Sequence, residues 1–232
     1  MRRKNNKYYI RKTHRYLGVI IGIQFLFWTI SGLYFTWTDI DEIHGDHFIK
    51  ETDIVNSIDS KELGLSIDSS VVSSMELKFI NSEPYLWVND SKLIHAKTGE
   101  VKSEISESEA KKIVRSRVKE EYEIETVEFL ESTGPHHEYR GRELPVWQVN
   151  FKGNESIAAY VDVKTGDFKT LRHRDWRWFD FLWMSHTMDY EGRDDFNNLL
   201  IRVFSLFGLF TVCSGFLLFF VSTKWSHKKL NK

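Results

Sequence analysis

Two uncharged apolar runs, residues 16–38 and 203–223, bracket a central stretch in which apolar and polar positions alternate over short distances. Each run is 21 residues or longer. At about 1.5 Å of rise per helical residue, either can cross a hydrocarbon core of roughly 30 Å. The central pattern predicts an α+β domain. Ser106-Glu107-Ser108-Glu109 has the form of a capping box, with Ile105 and Ala110 placed for a hydrophobic staple. Ala110, Ile113, Val114 and Val118 recur at helical spacing to about Glu120. Period-two alternation follows at Val127 and Phe129, at Trp147, Val149 and Phe151, and at Ile157, Ala159, Val161 and Val163. Lys152-Gly153-Asn154 reads as the turn between the last two of these strands.

A fainter copy of the same order comes first. Met75, Leu77 and Phe79 alternate, a turn follows at residues 81–84, and residues 85–88 and 92–95 return. Both copies close on near-identical turns, Lys97-Thr98-Gly99-Glu100-Val101 and Lys164-Thr165-Gly166-Asp167-Phe168, whose glycine suits a position of positive φ. The expectation is a duplicated helix-plus-antiparallel-sheet unit, with the first helix reduced to about residues 60–65. Farther on, Trp176, Trp178, Phe179, Phe181 and Trp183 mark a very aromatic stretch. Trp178, Phe179, Leu182, Trp183 and His186 share a helical face, which predicts a helix lying on the outer membrane surface. A helix packed under the sheet is the alternative.

Charge gives this arrangement an orientation. All 33 acidic residues lie between Asp39 and Asp195, whereas the tails carry seven Lys/Arg before Tyr16 and four after Thr223. Cations stay on the cytoplasmic side, so both ends are expected inside and the middle outside. The expected segments are a basic tail (1–15), a first span (16–38), an extracytoplasmic domain (39–175), an interfacial aromatic segment (176–197), a second span (198–223) and a second basic tail (224–232). Apart from the tails and Arg202, 20 Lys/Arg face 33 Asp/Glu, a net of −13. Such a domain repels nucleic acid; the bilayer itself is the expected partner of the tails and spans. The first run is too long, and its end too bulky, for a cleaved signal, so it reads as a retained anchor. The single cysteine, Cys213, excludes an intramolecular disulfide and reads as a small packing residue in the second span.

His14-Arg15-Tyr16-Leu17-Gly18, followed by an apolar helix ending in Ser31-Gly32-Leu33, resembles the first helix of PepSY-associated transmembrane proteins. Ser185-His186-Thr187 before the second run, and Ser214-Gly215-Phe216 near its end, are similar to a later helix of that family. Residues 107–171 resemble a PepSY domain: a helix, a strand, then a hairpin closing on Val161-Asp162-Val163-Lys164-Thr165-Gly166. Met188 stands where the family usually has glycine. The resemblance implies a PepSY-like module held in the inner membrane by two helices. Larger members have four or more spans, and some are ferric-siderophore reductases with haem between helices. For this chain it implies an accessory or binding subunit linked to iron, haem or siderophore handling. The alternatives are a haem b subunit of a transmembrane ferric (siderophore) reductase, and an inhibitor or chaperone of an extracytoplasmic protease. Another membrane subunit or a second copy is the expected partner.

Membrane b-type haem takes two imidazoles at similar depth on neighbouring helices, with cations near the propionates. His14 and His227 lie at the cytoplasmic ends of the two runs. His44, His47 and His186 lie at the outer ends, with Arg193 and Arg202. These imidazoles and Arg202 form the candidate cofactor set, His186 pairing with His44 or His47 in the outer layer; sharing across a dimer or with another subunit is the alternative. Competing with it is the plain reading of interfacial histidines, solvated or bonded to backbone. His44-Gly45-Asp46-His47, with Asp41 and Glu42, has the donors for a divalent cation but also suits a solvated loop. His136-His137-Glu138 reads as an exposed loop. Asp39 or Asp41 is the expected partner of Arg202, and Gly18-x-x-x-Gly22 and Gln24 are expected to join helices. No phosphate loop, Cys-x-x-Cys, nucleophile elbow or metalloprotease helix occurs, so nothing points to nucleotide binding or hydrolysis.

Overall fold

A computed structural model describes residues 6–51, 57–59, 72–193 and 195–222. The chain forms two compact units, Asp39–Phe179 and a second one made of Met1–Thr38 with Asp180–Lys232.

The first of these is an α+β unit with two four-stranded antiparallel sheets. One has the order β1 (Met75–Ile80), β2 (Glu83–Val88), β3 (Lys92–His95), β4 (Val101–Lys102). The other has β5 (Ile124–Leu130), β6 (Val146–Phe151), β7 (Ala158–Asp162), β8 (Phe168–Arg172). The duplicated order of strands is therefore present; the reduced first helix expected at residues 60–65 lies outside the described residues. Asn81 and Ser82, both at positive φ, close the first hairpin, as tight turns matching strand twist require. The repeated Lys-Thr-Gly turns are also alike. Gly99 and Gly166 both sit at φ 74, and their amides bond to His95 O at 2.9 Å and to Asp162 O at 3.0 Å.

Against the second sheet packs α3 (Glu107–Arg117), which starts on the expected capping box at Ser106 and Glu109 and stops at Val118, short of Glu120. Its buried Ala110, Ile113 and Val114 meet Val149, Phe151 and Val161 of the second sheet, together with Ile80 and Leu93 of the first. Trp147 packs at the margin of this core, donating from Nε1 to Ile105 O at 2.7 Å. Phe129 is 40% exposed on the edge strand β5 and meets Trp147 edge-on. The other face of the second sheet carries a smaller cluster of Tyr139, Val146, Ala158 and Tyr160. The loop around His136 is consequently not simply exposed. Tyr139 stacks on Tyr160 at 4.5 Å, while Glu138 accepts from the Tyr160 hydroxyl at 2.7 Å and from Arg177 Nε at 2.6 Å. Satisfying that carboxylate lets a polar segment fold back on the sheet.

Two helices of the second unit, α1 (Asn6–Trp37) and α5 (Leu199–Ser222), pack antiparallel. Within them, Tyr8–Trp37 and Leu199–Phe220 are long and apolar enough to cross a membrane. One face of α1 makes the contacts: Ile21 is buried, and His14, Phe25 and Trp28 reach other helices. Close approach occurs at Gly208, where an added Cβ would lie 3.0 Å from the Phe25 ring. Gly18 and Gly22 meet no neighbour among the described residues, so the expected glycine crossing is not made within this chain. Cys213 is exposed rather than packed.

Candidate functional site

Polar side chains in a helix pair of this composition are costly unless satisfied, so their partners mark what the helices are built around. The last helix of the chain before α5 is α4 (Arg174–Thr187), whose residues from Asp180 onward belong to the helical unit. Its C-terminal turn seats against the side of α1. Gln24 Nε2 donates to Ser185 O at 3.1 Å, and Trp28 Nε1 donates to His186 O at 2.8 Å. Gln24 thus joins helices as expected, although its partner is α4.

His186 is the centre of this junction. Its Nδ1 lies 2.7 Å from Ser31 Oγ, and its ring sits 5.7 Å from Phe35 and 6.3 Å from Trp28. Ser31 has one hydroxyl hydrogen, and it is already directed at Phe27 O, 2.7 Å away. With the serine hydrogen on a helix carbonyl, Phe27 O or Trp28 O, the serine oxygen is free to accept from Nδ1 of His186. The hydrogen bond of this ring among the described residues is the one at Nδ1.

The same arrangement occurs at the other end of the helix pair. His14 Nδ1 lies 2.8 Å from Ser214 Oγ, whose hydrogen is directed at Thr211 O, 2.7 Å away. Each imidazole is therefore anchored through Nδ1 by a serine that back-bonds into its own helix, and each leaves Nε2 for another partner. Both serines belong to Ser-Gly pairs, Ser31-Gly32 and Ser214-Gly215. His14 and Ser31 are 17 residues apart on α1, about 25 Å along the axis, so His14 and His186 form two layers and not one site.

The other candidates are distributed differently. His44 ends the short helix α2 (Ile40–His44) and His47 lies in the 3-10 turn Asp46–Phe48; both are exposed and belong to the sheet unit. The neighbour of His47 is His173, 5.6 Å away ring to ring. Sequence reasoning missed His173, a buried residue whose Nε2 lies 3.0 Å from Ile43 O. No group of three His, Cys, Asp or Glu side chains suited to a metal ion occurs among the described residues. His44-Gly45-Asp46-His47 therefore makes no cation site by itself. His227 lies outside the described residues. Arg202 is exposed on α5, with no ion pair among the described residues. Asp39, one of its two expected partners, instead caps α2 by accepting the Asp41 amide at 2.9 Å. Arg193 pairs with Asp180, their side chains 19% and 7% exposed.

No family model matches the chain, and neither a curated protein nor a solved structure matches it significantly.

Proposed function

We propose that this chain is a membrane-anchored PepSY-type module, an accessory subunit of an inner-membrane assembly that handles iron, haem or a siderophore. In this reading both termini are cytoplasmic and the acidic sheet unit is outside. Support for the orientation comes from the complete segregation of acidic residues from the basic tails.

One observation carries the functional part: two imidazoles in the helical unit, each held through Nδ1 by a serine hydroxyl and without a hydrogen bond at Nε2 among the described residues. Orientation of a ligating histidine through its second nitrogen is the usual support for metal binding. Each layer has one such imidazole among the described residues, so each would hold a b-type haem only together with a ligand from a second copy or another membrane subunit. His186 and His14 are the residues that would hold it, and Arg202 is an exposed cation of the same helix pair. Haem bound there would supply one-electron transfer; the sheet unit would recruit the partner or ligand outside the membrane.

The test is an absorption spectrum of the detergent-purified chain, oxidised and reduced, after expression with ample haem and with its native membrane partners present. The expected result is a low-spin spectrum with sharp α-bands on reduction. The outer component is lost in His186→Ala and retained in His136→Ala. A haem-free preparation would remove the cofactor role, leaving a membrane-anchored binding module.

A further inference from the structure

The end of α4 is built for a place without water. Helix C-termini leave carbonyls unsatisfied, and at a surface water takes them up. Here Ser185 O, His186 O and Thr187 O are each matched to a side-chain donor: Gln24 Nε2, Trp28 Nε1 and Asn198 Nδ2. Two of these donors come from inside an apolar helix. Trp28 is nine residues before the end of α1 at Trp37, about 13 Å along the axis. Two nearby carboxylates also find internal partners. Asp180 pairs with Arg193. Asp189, buried, accepts the amides of Glu191 at 3.2 Å, Gly192 at 3.1 Å and Asp195 at 2.9 Å. Meanwhile Phe181, Tyr190 and Phe196 are exposed. An amphipathic helix resting on water needs neither the caps nor the internal ion pair, whereas lipid demands both.

We infer that α4 from Asp180 onward is immersed in the outer leaflet, its last turn descending beside α1 and Phe181 facing lipid. Acyl chain is the partner of this surface, and the segment acts as a third, half-depth anchor for the chain. The inference rests on α1 and α5 spanning the bilayer. It departs from the expectation of a helix lying flat on the surface, because a flat helix cannot place its end carbonyls against Trp28.

Nitroxide labels on single cysteines in the full chain, in vesicles with Cys213→Ser as background, provide the test. The label sites are Phe181→Cys, Leu209→Cys in α5, and Ser132→Cys in the sheet unit. Collision with oxygen, which partitions into lipid, is compared with collision with a water-soluble nickel chelate. Immersion predicts an oxygen-to-nickel ratio at 181 several-fold above that at 132 and approaching that at 209. A ratio at 181 equal to that at 132, with 209 in lipid, overturns the inference and leaves the spanning helices intact. Water-like ratios at all three sites overturn the membrane reading, and this inference with it.

Discussion

Asp162 and His95 occupy equivalent places in the two sheets, each at the head of a Lys-Thr-Gly turn, and each accepts two amides of that turn. Asp162 Oδ1 takes Lys164 N at 2.8 Å and Thr165 N at 2.9 Å. His95 Nδ1 takes Lys97 N at 3.3 Å and Thr98 N at 3.2 Å. Thr165 bonds Asp167 at 2.8 Å where Thr98 reaches Glu100 at 3.5 Å. The second turn is also tied outward: Lys169 lies 3.4 Å from Asp162, and Lys78 of the first sheet lies 3.0 Å from Asp167. Burial follows the same division. Every residue of β7 is buried, whereas β1 begins with three exposed residues. The two sheets thus share one strand order and one closing turn, while the core is concentrated on the second, with the first leaning on it.

The largest effect that separates the copies is expected at Trp147. It faces Val161 across the second sheet as Leu86 faces Ile94 across the first. Trp147→Ala removes a large ring and the bond to Ile105 O, and should destabilise the sheet unit by about 3–5 kcal/mol. Leu86 lies in a smaller cluster with Val88 and Ala96; Leu86→Ala should cost roughly 2–3 kcal/mol, the low end for such changes. Denaturant midpoints of the full chain in detergent measure both. Equal losses would show that the first copy carries as much of the fold as the second.

A smaller difference is expected in the turns. Asp162→Ala leaves two amides without a charged acceptor and should cost about 2–3 kcal/mol, against roughly 0.5–1 kcal/mol for His95→Ala, whose bonds are longer. If the order is reversed, the exposed turn and not the buried one holds its sheet together.

Which parts of this were legible beforehand follows from the range of the interactions. The capping box at Ser106, the strands on either side of Gly153 and the paired Lys-Thr-Gly turns are local, and local chemistry is written in neighbouring letters. Alternation marks Phe129 as strand but does not say that its strand ends at an open edge, where it is 40% exposed. Glu138 and Tyr139 looked like loop because their partners, Tyr160 and Arg177, are more than 20 residues away. The histidine anchors are farther still: Ser31 and His186 are 155 residues apart, Ser214 and His14 are 200. Both Ser-Gly pairs were visible as helix-end motifs, and nothing in the sequence linked either one to an imidazole.

The smallest effect concerns the start of α3, where the second copy gains a helix cap that also reaches the first. Ser106 receives the Glu109 amide at 3.4 Å, while Glu109 Oε2 accepts the Ser106 amide at 2.9 Å and its hydroxyl at 2.8 Å. Glu109 Oε1 meets Lys102 of β4 at 2.8 Å. Burial alone would raise the Glu109 pKa; the bonds to Lys102 and Ser106 outweigh it and hold the pKa below the ordinary 4.5. A carboxylate with a depressed pKa contributes stability above its unfolded value, and that contribution is lost as pH falls through the folded value. Ser106→Ala should therefore cost about 1 kcal/mol at pH 7, the usual worth of such a cap. The gap from the parent chain should narrow on acidification below pH 4.5, because protonating Glu109 weakens its bond with the Ser106 hydroxyl in the parent chain, a bond that the variant already lacks. Denaturant midpoints of both proteins across this pH range decide the matter. A gap independent of pH would reduce the cap to the serine's bond with the helix amide, with no part for the carboxylate that joins α3 to the first sheet.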